Sequence, residues 1–172
     1  MQQPRPEMSG EEMRHYLTEV GALLVARALT GEIVLAGGAM MVMALGARGG
    51  SHDIDAVFAK EAEAIAAAAR EVARTHGLPA MWLNDHVRVF VAPDAPTVEL
   101  FEVPGLRVRM VRLDYLFHMK AWAGDPVDQR DLLVIAKALG LKDERQAHEI
   151  VRGYSSGELP RDVQIILESL FE

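Results

Sequence analysis

Hydrophobic and polar positions along the chain fall first into a helical period, then into short apolar blocks, then into a second helical stretch. Ser9 followed by Glu12 is a capping-box pattern, and the segment Glu11 to Leu29 carries Met13, Leu17, Val20, Leu23, Leu24 and Ala28 at helical spacing. This predicts a long first helix, ended by Gly31. Glu32 to Ala36 is a short, β-branched-rich run of the kind that makes a buried strand, and Gly37-Gly38 breaks it. Residues 39–45 are good helix formers without a polar face, so a short buried helix is expected, closed by Gly46. After the flexible loop Arg48-Gly49-Gly50-Ser51, the run Asp53 to Phe58 alternates and then turns wholly apolar, as a strand does when it runs from an exposed tip into a core.

An Ala-rich helix is expected over Glu61 to His76, capped by Gly77. Strand-like blocks follow at Ala80 to Leu83, Val87 to Val91 and Val98 to Val103, with Asn84-Asp85 as a break, and then at Leu106 to Val111 after a Pro104-Gly105 turn. The second half of the sheet therefore reads as antiparallel. From Leu113 the chain reads as helical, interrupted at Gly124-Asp125-Pro126, Gly140 and Ser155-Ser156-Gly157, with Pro160 as a first-turn residue. The fold class expected is α/β (α+β): a mixed sheet flanked by helices over residues 1–112, and a C-terminal helical bundle over 113–172 packed on it as one unit.

Composition narrows the chemistry. The 172 residues are half apolar, enough for a core without cross-links, and the absence of cysteine excludes disulfides, Cys-ligated zinc, iron–sulfur clusters and thiol catalysis. The N-terminus lacks a basic-then-apolar secretory pattern and no apolar run reaches the roughly 18 residues needed to cross a membrane, so a cytoplasmic protein is expected. A net charge of −7 has the wrong sign for coating duplex nucleic acid, which confines any such contact to a local patch. One basic strip exists: Arg107 and Arg109 share a strand face, with Arg88 on a candidate neighbouring strand, and it reads equally as an RNA-acceptor surface or as a solvated face balanced by acids.

The chemistry centres on Asp53 and Asp55. At i and i+2 of a strand they project from one face, while Ile54 points to the other. Such a pair repels unless a cation sits between, and Mg²⁺ suits it, taking one or two carboxylates and completing its shell with waters and phosphate oxygens; Mn²⁺ accepts the same ligands. Asp-x-Asp alone is common in turns, but here apolar strand residues frame it, and a strand–Gly-Gly–helix unit stands upstream. A Gly-Gly in that place lets the backbone approach a phosphate. Together the two features describe one site, with amides for phosphate oxygens and carboxylates for a bridging metal.

Ala36-Gly37-Gly38, a short helix and then Asp53-Ile54-Asp55-Ala56 resemble the signature of the DNA polymerase β-type nucleotidyltransferase superfamily. Leu116-Phe117-His118-Met119-Lys120-Ala121-Trp122-Ala123-Gly124 with Asp128-Gln129-Arg130-Asp131-Leu132 resembles the Lys-containing and Asp-x-x-Asp helices of its AbiEii-like branch, many of whose members are toxins of toxin–antitoxin or phage-defence systems. The resemblance implies a nucleotidyltransferase-like sheet and transfer of a nucleoside monophosphate from a nucleoside triphosphate to an RNA, such as tRNA, or a protein acceptor. It also implies metals on Asp53 and Asp55, a triphosphate cradle at Gly37 and Gly38, a phosphate contact from Lys120 and support from Asp131. An antitoxin partner belongs to the same expectation.

Arg48 and Ser51 stand near the places where the superfamily carries an Arg and a Thr, and Arg48 reads equally as a solvated loop residue. A third metal-binding carboxylate is expected on a later strand, and Asp85, Glu99 and Glu102 compete for it. Lys120 on an amphipathic helix and Asp128 as an N-cap both have ordinary structural readings, and His52, His86 and His118 read as incidental or supporting. The alternatives to a transferase are a non-catalytic nucleotide- or partner-binding member of the same fold and, ranked last, a metal-dependent phosphohydrolase.

Overall fold

The capping box at the start of the first helix forms as its pattern requires. The Ser9 hydroxyl accepts from the Glu12 amide at 3.2 Å, and the Glu12 carboxylate accepts from the Ser9 amide at 2.8 Å. The computed structural model describes residues 6–172, so the first five residues of the Pro-containing tail lie outside the described residues. Helix α1 spans Gly10–Val25 and buries Met13, Leu17, Val20, Gly21 and Leu24. It ends before the expected Leu29 because Ala28, at φ 57°, turns the chain into the left-handed region. The Leu29 amide then donates to the Leu24 carbonyl and the Ala28 amide to Val25, each at 2.9 Å: a Schellman closure with alanine where glycine is usual.

The elements that follow are β1 (Gly31–Leu35), α2 (Gly38–Met43), β2 (Ile54–Lys60), α3 (Ala62–His76), β3 (Leu83–Asn84), β4 (Thr97–Val103) and β5 (Leu106–Val111). They build a five-stranded mixed sheet in the order β3-β2-β1-β5-β4. β1 lies antiparallel to β2 and parallel to β5, β2 is parallel to β3, and β4–β5 is an antiparallel hairpin. The antiparallel character expected of the later strands thus holds only within that hairpin. Ile33, Leu35, Ile54, Ala56, Leu106 and Val108 are buried, as are Ile65, Ala68 and Val72 of α3, and α1 and α3 pack on each other and on the sheet.

A close approach fixes α1 against the hairpin. Gly105 turns at φ 83°, and a Cβ there would stand 2.1 Å from the Gly21 carbonyl oxygen; one on Gly21 would stand 2.3 Å from that of Pro104. Helix and turn meet backbone to backbone, so neither position has room for a side chain.

Two predicted strands are corrected. Over Ala80 to Leu83 only Leu83 joins the sheet, pairing with Ile54 of β2, because the Trp82 amide closes a turn onto the Pro79 carbonyl while its buried indole N–H donates to Ala69 at 2.9 Å. Val87 to Val91 is not a strand: His86–Phe90 forms a 3₁₀ turn. The Asn84 side chain accepts from the His86 amide and the Arg88 amide donates to the Asp85 carbonyl, so the chain curls away from the ladder, leaving Val89 and Phe90 exposed.

The chain divides into two units, one ending at Val111 and the other Arg112–Glu172. The second consists of α4 (Leu113–Ala123), α5 (Asp128–Ala138), α6 (Glu144–Tyr154) and α7 (Arg161–Ser169), with α4 packed against the other three. The architecture is mixed α/β, with seven α-helices among the described residues. No helix among them is long and apolar enough to cross a membrane.

Candidate functional site

The C-terminal end of β1 brings the glycine pair to the acids. The Ala36 amide donates to the Asp55 carbonyl at 3.2 Å, and the chain leaves the sheet at Gly37, immediately beside the Asp55 side chain. A Cβ on Gly37 would lie 3.0 Å from Asp55 Oδ2 and 3.1 Å from Asp55 Cβ, so a hydrogen is what the space admits without displacing the carboxylate. Gly37 also occupies the N-cap position of α2, where no side chain caps the helix. A Cβ on Gly38 would lie 3.3 Å from an Arg48 guanidinium nitrogen and 3.4 Å from Ser51 Oγ. The structure therefore gathers Gly37, Gly38, Arg48, Ser51 and Asp55 around one strand–helix junction.

Ser51 is nearly buried and holds the approach to the acids. Its backbone pairs with Met8 in both directions, at 2.8 and 3.0 Å, and its hydroxyl donates to the Asp53 carbonyl at 3.0 Å. Asp53 precedes the first residue of β2, and the fully buried Ile54 separates it from Asp55. Burial raises the Asp53 pKa above the ordinary carboxylate value, and the negative charge of Asp55 raises it further; His52, His86 and its own backbone amide offset part of this. A carboxylate so placed gains from a cation next to it. The two carboxylates, Asp53 and Asp55, fit Mg²⁺ or Mn²⁺.

The candidates for a third acid fall in different places. Across the β2–β3 ladder the residue in register with Asp55 is Asn84, a neutral amide whose side chain is spent on the Met81 carbonyl (3.2 Å) and the His86 amide (3.1 Å). Asp85 follows directly and lies 4.0 Å from Arg88. Glu99 and Glu102 stand on β4, three strands from β2, about 14 Å at the usual strand spacing. That is too far to share a cation with Asp55. Glu99 is exposed and lies 3.9 Å from Arg107.

Lys120 and Asp131 belong to the second unit, where they form a buried ion cluster. Lys120 Nζ lies 2.5 Å from Asp128 Oδ1 and 2.8 Å from Asp131 Oδ2, with Lys120 and Asp131 side chains only 11% and 5% exposed. The N-cap reading of Asp128 is corrected: Val127 occupies that position, its amide donating to Asp125, and the Asp128 carboxylate turns to the lysine. Nearby, Asp114 accepts two bonds from Arg112 and one from the Tyr154 hydroxyl, which holds its carboxyl below the ordinary value. His118 lies among Tyr115, Trp122 and Tyr154 and is held below the ordinary imidazole value by burial, against the opposing effect of the Val151 carbonyl.

Of the basic strip, Arg107 and Arg109 stand two apart on β5 as expected, and only the strand placement of Arg88 is corrected. Arg107 lies 3.5 Å from Glu32 and 3.9 Å from Glu99, and Arg88 sits on the 3₁₀ turn next to β2 and not on a strand beside β5. Of the two readings open for His52 and His86, incidental or supporting, their influence on Asp53 favours the supporting one. His52 is adjacent to Asp53 in sequence, whereas the approach of His86 depends on the β2–β3 pairing, which no local pattern announces. Compared with known proteins, the chain matches no family model, no curated protein and no solved structure.

Proposed function

We propose that the protein is a Mg²⁺-dependent nucleotidyltransferase of the DNA polymerase β type, AbiEii-like, with its metal and phosphate site in the unit ending at Val111, moving a nucleoside monophosphate from a nucleoside triphosphate to an RNA or protein hydroxyl. The observation that carries the reading is the seating of the Gly37 backbone against the Asp55 carboxylate. It puts a backbone that can meet phosphate closely within reach of carboxylates that hold a metal. Asp53 and Asp55 would hold the metal, which would supply neutralisation of the charge that develops during transfer.

This chain's residues do the rest. Gly37 and Gly38 give the triphosphate a surface free of side chains, Arg48 adds positive charge beside it, and Ser51 fixes the backbone of Asp53. Asp53 and Asp55 hold the cation that their mutual repulsion favours. The acceptor hydroxyl oxygen bonds to the α-phosphorus as the bond from that phosphorus to the oxygen bridging it to the β-phosphorus breaks; the hydroxyl proton passes to water and pyrophosphate leaves.

One observation favours a second reading, in which the site binds nucleotide without turnover: the residue facing Asp55 on β3 is Asn84, not an acid. Incubation with each α-labelled nucleoside triphosphate, Mg²⁺, cellular RNA and cellular protein separates the two. Transfer of label by the wild type and not by Asp53→Ala is the expected result. Mg²⁺-dependent binding with no label transferred would establish the second reading and overturn the first.

A further inference from the structure

Away from the acid pair, two helices of the first unit bring together His15 and Glu19 of α1 and His76 from the last turn of α3. One ligand atom from each lies within 4.8 Å of the others. His15 Nε2 is 3.3 Å from Glu19 Oε1, and His76 Nε2 is 2.6 Å from Glu19 Oε2. We propose that His15, Glu19 and His76 form a first-row transition-metal site of the Zn²⁺ class that clamps α1 to α3.

The geometry suits such an ion. Metal–ligand bonds of about 2.1 Å in a tetrahedron set neighbouring ligand atoms about 3.4 Å apart. The separation of His15 from Glu19 Oε1 is close to that value, the hydrogen-bonded pair of His76 and Glu19 Oε2 needs to open by less than about 1 Å, and the two imidazoles, within 4.8 Å of each other, need to close by at most about 1.4 Å to reach it. His15 and Glu19 are four apart on one helix, so a single turn presents both, and the α1–α3 packing supplies the third ligand. The rings are braced: Tyr16 lies 4.9 Å from the His76 ring and 5.6 Å from His15, and its other neighbour is Trp82 at 5.8 Å.

Donor chemistry sets the class. Two imidazoles and one carboxylate form the borderline-soft set that binds Zn²⁺, Cu²⁺ or Ni²⁺ in preference to Mg²⁺, with water completing the shell. The site is thus separate in place and in metal from the all-oxygen pair Asp53 and Asp55.

Calorimetric titration of the full chain with ZnCl₂, in excess Mg²⁺ to occupy the carboxylate pair, tests this. One equivalent is expected to bind and to raise the thermal midpoint. His76→Ala and Glu19→Gln are expected to weaken binding by about tenfold or more, and His148→Ala in the second unit to leave it unchanged. All three positions lie outside the core, and far-UV circular dichroism checks that each variant is folded. Cu²⁺ is expected to quench tryptophan fluorescence in the wild type but not in His76→Ala, through the proximity of Trp82. Absence of a one-equivalent transition, or wild-type affinity in both ligand variants, would overturn the proposal.

Discussion

At the scale of single residues, the most informative group is Asp53, whose ionised form is disfavoured by burial and by Asp55. Because its folded pKa is raised, the stability it contributes is present at low pH and is lost as pH rises through the folded value. At pH 7 the folded state therefore carries a penalty, and Asp53→Asn should raise the thermal midpoint in metal-free buffer while abolishing the further rise that Mg²⁺ gives the wild type. Differential scanning calorimetry with and without Mg²⁺ checks both signs. His118 titrates in the opposite sense. Its depressed pKa means that its stability is fully present above the ordinary value of 6.5 and is lost as pH falls through the folded value, a loss that His118→Phe should abolish in urea titrations at stepped pH. Lys120 holds two carboxylates in a largely buried setting, and Lys120→Met leaves them facing each other. Destabilisation by about 3 kcal/mol is expected in urea unfolding.

At the scale of elements, helix ends and close contacts decide where the chain turns. Ala28 holds a left-handed conformation that costs a residue with a Cβ about 1 kcal/mol, so Ala28→Gly should stabilise by about that amount at the urea midpoint. Gly21→Ala should do the reverse, costing about 3 kcal/mol, because the new methyl meets the Pro104 carbonyl and not a yielding side chain. The same two positions explain what the sequence conveyed and what it did not. The Ser9 and Glu12 cap was plain because it is written in side chains three apart. The helix end carries no such mark, because alanine stands in the Schellman closure where glycine is usual. The block from Val87 to Val91 looked like a strand by composition, but the Asn84 side chain and the Asp85 carbonyl, both outside the block, impose the 3₁₀ turn.

At the scale of the molecule, the mixed α/β class follows from alternating apolar periods, which is why it could be read from residue types alone. The order β3-β2-β1-β5-β4 could not, since the placing of β1 between β2 and β5 is a long-range pairing that no local pattern records. That order determines the site: it sets Asn84 against Asp55 and carries Glu99 to the far side of the sheet. The Asp53–Asp55 pair and the glycines were legible because each is defined by residue type and short spacing, whereas the ion cluster of Lys120 became visible only when α4 packed on α5. On the proposed function, Gly37 and the acid pair form one metal-nucleotide site. This is tested most directly by calorimetric titration of a non-hydrolysable nucleoside triphosphate analogue, with and without Mg²⁺, into the wild type, Asp53→Ala and Gly37→Ala. Binding is expected to require Mg²⁺, to be lost in Asp53→Ala, and to weaken about tenfold in Gly37→Ala, where the added methyl displaces the Asp55 carboxylate by a few tenths of an ångström. Binding of equal strength with and without Mg²⁺ and in all three proteins would contradict it.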